Sequence, residues 1–393
     1  MAEKEGIETL EKKSNAEKPQ GAEREKPVNS GKDEKAEERV EKLVEATQKS
    51  VVANEEPIGK TAGPLEGPVG LDIGTSHIII AQNKGRDINT TKELNAFFTL
   101  PTGKFAKQIL NQKEIKYYEL DDLFYIIGYS AQNFANMFNV NLRRPMSQGV
   151  LSSNENEGIR VIEAILKSLI QKPKAFGEIL CFGVPGDPIN EPGASVYHES
   201  MIKRSIGSMG YTPISLNEGM AIVLSELSEE DFTGIGISMG GGMCNICLSY
   251  LSFPVITYSI PMAGDYIDAM VEKAVGEPAT KVKAIKEEDL DLSKGPKDRV
   301  TTALHIFYDE LIFKLLKSLQ RVISSTDKIP KISNPIPIIL SGGTAMPNGC
   351  VEKFETMLKD ISLPVEISAV RLAEDPLNTT AKGALIMAMT ETE

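Results

Sequence analysis

Residues 69–81 read VGLDIGTSHIIIA, two apolar runs separated by Asp72, Gly74, Thr75 and Ser76. That set could hold a phosphate. Glycine in a tight hairpin turn lets successive backbone N–H groups converge on an anion without interference from Cβ, and the Thr and Ser hydroxyls add donors. An aspartate at the strand end can hold a hydrated Mg²⁺ through its water shell. Residues 234–254, GIGISMGGGMCNICLSYLSFP, repeat the plan with Gly240, Gly241 and Gly242 at the turn. Two such hairpins facing each other would grip a polyphosphate from both sides. Taken singly, each reads more readily as an ordinary β-turn. No GxxxxGKS or GxxxxGKT stretch occurs, which excludes a Walker loop.

The elements that must position these turns are legible as strands alternating with helices. Strand-like runs fall at residues 69–72, 78–82, 179–184, 235–238, 246–250, 255–259 and 336–340. Between them, residues 156–173 put Ile159, Ile162, Ile165, Leu166 and Leu169 on one helical face, and residues 299–325 form the longest helical pattern. This is an α/β architecture. Each hairpin is followed later by helices and a further strand, so the chain reads as a duplicated fold. The stretch 90–140 breaks the pattern and reads as an inserted subdomain.

Length and composition agree. At 393 residues the chain exceeds one simple core, and two domains are expected once a tail is discounted. Residues 1–66 are dominated by Glu, Lys, Ala, Pro and Gly and bury too little apolar surface to fold alone. Within them Val40, Leu43, Val44, Val51 and Val52 make a thin helical stripe, either a solvated linker helix or a partner-docking one. A net charge of −12 and a pI near 5.1 argue against a general binder of nucleic acid or anionic membrane. Cys244 and Cys247 form a C-x-x-C, but no second pair completes a zinc site. Together with Cys181 and Cys350 they are expected to be buried structural thiols. The first residues carry no apolar core for a signal peptide, and no apolar run is long enough to span a bilayer, so the cytoplasm is the expected compartment.

The order of further motifs supports a family resemblance. LDIGTS at 71–76 resembles the first phosphate loop of the actin superfamily, which includes actin, the 70-kilodalton chaperones and sugar kinases. LRRPMSQGVLSS at 142–153, GVPGDP at 183–188 and PISLNEGMAIVLSE at 213–226 are similar to the connecting segment, strand end and crossover helix of bacterial actins. ISMGGGMCN at 237–245 stands where the second phosphate loop belongs, followed by PMAGDYIDAMV at 261–271. KAIKEEDLDL at 283–292, IILSGGTAMPNG at 338–349 and DPLNTTAKGALIMA at 375–388 resemble the nucleoside helix, adenosine loop and closing helix. The likeness covers nearly all of 68–390 and is nearest to MreB and the magnetosome filament protein MamK.

The resemblance implies a ribonuclease H-like two-domain fold around a nucleotide cleft. It divides the chain into a tail (1–66), domain I (67–232, with the 90–140 insert), domain II (233–370) and a closing helix returning to domain I (371–393). It implies that Gly74, Thr75 and Ser76 cradle phosphate, with Asp72 near Mg²⁺ through water, and that Gly240, Gly241 and Gly242 contact it from the other domain. Lys286 and Glu287 would reach base and ribose, and Gly342, Gly343 and Thr344 would pack on the adenosine. ATP or ADP with Mg²⁺ is the implied cofactor.

The chain also departs from the family. Where bacterial actins carry D-x-G-x-G-T-T-D, it has Ser238 in place of the acid and Met243 in place of the first threonine. Losing two groups that align water and offset phosphate charge would slow hydrolysis by orders of magnitude. The water-orienting residue is expected at Glu199 or His198 on the helix after GVP. His77 sits either near phosphate or as strand filling, and His305 on the long helix is a packing or surface residue. Only SKGPKD, 293–298, separates KAIKEEDLDL from the long helix, so one subdomain is shortened. The implied function is a cytoskeletal protein that binds ATP or ADP, polymerises and hydrolyses slowly or not at all, with an adaptor or cargo on the tail. The competing reading is a non-polymerising nucleotide-dependent clamp for a partner protein. A sugar or acetate kinase fits least.

Overall fold

The computed structural model describes residues 67–392 apart from Arg86, 139–141, Asn190, Pro192, 327–328 and Ser333. The tail 1–66, with its apolar stripe, lies outside the described residues. The first apolar runs form β1 (Val69–Ile73), β2 (His77–Lys84) and β3 (Asp87–Leu94). An insert follows: β4 (Phe97–Pro101), α1 (Lys104–Gln112), β5 (Tyr117–Leu120), β6 (Leu123–Ile127) and α2 (Gly128–Phe138), its strands ordered β4-β6-β5. The insert therefore begins at 97, because residues 87–94 are an edge strand of the main sheet. A small ribbon, β7 (Met146–Ser147) with β8 (Val150–Leu151), leads to α3 (Gly158–Leu169), β9 (Ile179–Val184), α4 (Ala194–Ser208), β10 (Thr212–Asn217) and α5 (Glu218–Glu226).

The second half has β11 (Gly234–Met239), β12 (Cys244–Tyr250), β13 (Phe253–Ile260), α6 (Gly264–Val275), α7 (Ala279–Glu288) and α8 (Arg299–Ser324). It closes with β14 (Ile336–Ser341), a 3₁₀ turn (Gly343–Ala345), α9 (Cys350–Leu358), β15 (Ile367–Leu372) and α10 (Thr379–Thr390). Helix α8 starts where Asp298 accepts from Thr301 N–H and Thr301 Oγ1 accepts from Asp298 N–H, a reciprocal cap.

The two main sheets run in one order. The first is β3-β2-β1-β9-β10 and the second β13-β12-β11-β14-β15. In each, three antiparallel strands made by hairpins join two parallel strands added by crossovers. The duplication read from the paired hairpins is therefore a duplication of topology: a two-domain, actin-like α/β fold. The insert sits after the third strand of the first half, whereas residues 289–298 of the second half carry no helix or strand of their own.

Each half buries its own core, one behind β1, β9, α3 and α4 and a larger one behind β11, β14, α6 and α8. A third cluster, with Ala221, Ile222, Leu224, Cys247 and Ala384, joins them through α5 and α10. These helices nearly touch: a Cβ on Gly383 would overlap the Ala221 carbonyl, so only glycine permits the crossing. Cys244 and Cys247 point to opposite faces of β12, the first into the domain core and the second into the joint. Burial pushes the Cys247, Cys181 and Cys350 thiols up to about 12 and Cys244 higher still, so all four stay protonated.

Candidate functional site

The ends of β1 and β11 meet across one cavity. Gly74 N–H donates to His77 O (2.9 Å) and Gly240 N–H to Met243 O (3.2 Å), closing the two turns. A Cβ on Gly241 would come within 2.7 Å of Ser76 Oγ, so the tips of the two loops are in contact. Thr75 Oγ1 accepts from Gly149 N–H (3.0 Å), and the Met243 side chain lies directly over Gly149. Asp72, Gly74, Thr75, Ser76, Gly240, Gly241, Gly242, Lys286, Glu287, Gly342, Gly343 and Thr344 all line this cavity. Residues spread over about 270 positions of sequence are thus brought to one place by the strand order.

Several of these side chains already have partners. The Lys286 ammonium is buried, 2.7 Å from Asp268, and donates to Gly264 O (2.9 Å), so it pins α7 to the start of α6. Glu287 is exposed beside Lys283 (3.7 Å). Thr344 Oγ1 donates to Gly240 O (2.7 Å), coupling the 342–344 turn to the second loop. Arg144 pairs with Asp265 (3.2 Å) at the mouth, joining the two halves. His77 lines the cavity, and burial, followed by Lys283, Lys92 and Arg144, pulls its imidazole down to about 4, leaving it neutral at pH 7.

The structure does not bring Glu199 or His198 to the cavity. Glu199 pairs with Lys203 (2.6 Å) and accepts from Ser215 Oγ (2.6 Å), and His198 is buried in α4 with no hydrogen-bond partner for either ring nitrogen among the described residues. Helix α4 follows β9 but packs against the flank of the sheet; the helix that enters the cavity is α5, one strand later. Its first residue, Glu218, is the carboxylate that the sequence reading passed over. Asn217 caps α5 by accepting from the N–H groups of Gly219 (3.0 Å) and Met220 (3.2 Å), which sets Glu218 at the helix start.

Ser238 and Asn245 are directly paired across β11 and β12, and both donate to Glu218 Oε2, at 3.1 and 2.8 Å. Asn245 Oδ1 accepts in turn from Gly186 N–H (3.0 Å). Glu218 and Asp72 share the floor of the cavity. Burial, then the nearby Glu218, raises the Asp72 carboxyl well above the usual range. Burial raises Glu218 against the two hydrogen bonds that favour its ionised form. Two half-buried carboxyls, one of them held by the neutral donors Ser238 and Asn245, form a site that a cation or a proton would complete. The residues fit a hydrated Mg²⁺ beside Asp72: an acid at the wall, hydroxyls around it and room for water. N–H-rich turns on one side of that floor and a flat, glycine-lined turn on the other suit an anion joined to a planar group.

The fold and this cleft define an actin-like protein. The Volactin family model matches residues 68–388, and the chain belongs to that family. No curated protein matches it. Among solved structures it is similar to a MamK double-helical filament (18% identity, 82% of this chain and 98% of the other, TM-score 0.61). It is also similar to MreB5 of Spiroplasma citri bound to ADP (16% identity, 82% and 96% covered, TM-score 0.58). The AMPPNP-bound form of that MreB5 gives 15% identity, 83% and 96% covered, and a TM-score of 0.57. At these identities the likeness concerns the fold.

Proposed function

We propose that the protein binds ATP or ADP with Mg²⁺ in this cavity and stacks head to tail into cytoplasmic filaments that organise cellular structures. The observation that carries the reading is the convergence of two phosphate-type loops and the 286–287 and 342–344 segments on one cleft. The domains would be 67–232 and 233–370, with 371–393 closing back on the first. The loops would hold the phosphates and Asp72 a water of the metal. Glu218, with one oxygen fixed by Ser238 and Asn245, would direct its other oxygen at the attacking water; Glu199 and His198 do not line the cavity. Mg²⁺ would offset phosphate charge.

Turnover is proposed to be slow, because Ser238 supplies no charge and Met243, buried against Gly149, supplies no hydroxyl. Nucleotide then acts chiefly by its difference in affinity for open and closed clefts. Heterologous stacking of closed subunits yields open filaments when the rotation does not close. The short 289–298 connection favours a second reading, a non-polymerising clamp that presents its tail to an adaptor. Calorimetry with ATP, ADP and Mg²⁺, followed by nucleotide-dependent pelleting and negative-stain microscopy, separates the readings. Binding with filaments supports the first, binding without filaments the clamp, and no binding refutes both.

A further inference from the structure

Asn95 is fully buried on the link 95–96 between β3 and the inserted sheet. Its backbone N–H donates to Ser76 O (2.9 Å) and its Nδ2 to Gly74 O (2.8 Å). One residue thus captures the carbonyls on both sides of Thr75. A trans peptide holds its C=O and N–H on opposite sides. Fixing the Gly74 carbonyl toward Asn95 therefore turns the N–H of Thr75, a residue that lines the cavity, away from Asn95.

The cost of keeping an amide here is visible. Asn95 Oδ1 is buried with no hydrogen-bond partner among the described residues. An apolar residue of the same size would avoid that penalty, so burial alone does not account for an asparagine. Nδ2 also donates to Met146 Sδ (3.2 Å), in the ribbon that leads to Gly149 and its bond to Thr75. The adjoining residues hold the insert: Ala96 O accepts from Gly128 N–H (2.9 Å), and Glu93 accepts from Tyr129 N–H and Lys116 Nζ, each at 2.8 Å.

We infer that Asn95 is a positioning residue that orients the 74–76 loop for an anion and ties that orientation to the inserted subdomain. The ligand named in the test rests on the nucleotide reading above; the loop geometry does not. In the full chain, Asn95→Leu removes the donor while keeping a branched side chain of four heavy atoms. Met146→Leu disturbs the same packing but leaves the Gly74 bond. Hydrogen exchange without nucleotide should be about tenfold faster at 74–77 in Asn95→Leu, the scale of one buried hydrogen bond, and its ATP Kd should rise about tenfold. Met146→Leu should change either by less than about twofold. Should Asn95→Leu fail to fold, Asn95→Ser carries the comparison, with intermediate effects expected from its shorter donor. Unchanged exchange at the loop, unchanged affinity with a loosened loop, or equal effects from Met146→Leu would overturn the inference. If the parent protein binds no ATP, the nucleotide reading fails while exchange still decides the role of Asn95.

Discussion

Replacing Ser238 with aspartate would put a third carboxyl into a pocket that already holds two. Ser238 is buried, and its hydroxyl donates to Glu218 Oε2 at 3.1 Å, so an aspartate there would stand against Glu218 with Asp72 nearby. Like unit charges about 4 Å apart repel by about 4 kcal/mol at an effective dielectric near 20. Loss of a hydroxyl bond to a charged group adds about 1.5–3 kcal/mol. Protonation of one carboxyl relieves part of this, at about 1.4 kcal/mol for each pH unit by which its pKa must be exceeded. The expected loss of stability at pH 8 in EDTA is about 3–5 kcal/mol. A divalent cation among the three acids would reverse the sign, so millimolar Mg²⁺ should restore much of the loss in Ser238→Asp while moving the parent less. Urea unfolding of both proteins, with EDTA and then with Mg²⁺, reads this directly. Equal stability in EDTA, or a deficit that ignores Mg²⁺, would refute the placement of Ser238 beside the carboxyl pair. Adding Met243→Thr should raise phosphate release and shorten filament lifetime, provided the nucleotide reading holds.

Asp72→Ala should weaken Mg-ATP binding by about 1–3 kcal/mol in calorimetry and, by relieving Glu218, leave the ligand-free protein no less stable. His198 falls from 6.5 to about 4 through burial, with Glu199 opposing, so the unfolded chain takes its proton first. Stability is complete above pH 6.5 and is lost toward pH 4, by about 3 kcal/mol for this group. His77 contributes a parallel loss, so His198→Phe should flatten the slope of stability against pH without abolishing it, as measured by urea midpoints from pH 7.5 to 4.5. Tyr308 buries a hydroxyl that has no hydrogen-bond partner among the described residues, and Tyr308→Phe should leave stability unchanged or raise it by about 1 kcal/mol at most, read as a thermal midpoint that holds or rises.

Periodicity and motif order made the duplicated fold legible, because a hairpin with a glycine-bearing tip leaves a local pattern. The turns at 74–76 and 240–242 are legible for that reason, the one at 342–344 only through the order of motifs, and the topology explains why they converge. The insert was legible only as a break in pattern: its strands are short, and β3 is half exposed and polar, so 87–94 lacked the apolar signature of a sheet strand. Lys286 lines the cavity, but its engagement by Asp268 depends on the packing of α6 against α7, which no local spacing encodes.

Glu218 was hidden for a related reason. Its segment, PISLNEGMAIVLSE, has the apolar excess of a helix buried on most sides, so the acid at its start reads as a favourable charge at a helix N-terminus. Its importance comes from two hydrogen bonds made by residues 20 and 27 positions further on. Those same bonds change the meaning of the altered second loop. Read as sequence, Ser238 is a place where an acid is missing and Asn245 is a polar residue of the same loop. In the folded chain they are donors that point one oxygen of Glu218 inward and hold it there, and an acid at either position would instead repel it. The loss of charge at the loop and the retention of a carboxyl on the crossover helix are thus two sides of one arrangement, in which neutral donors orient the acid that remains.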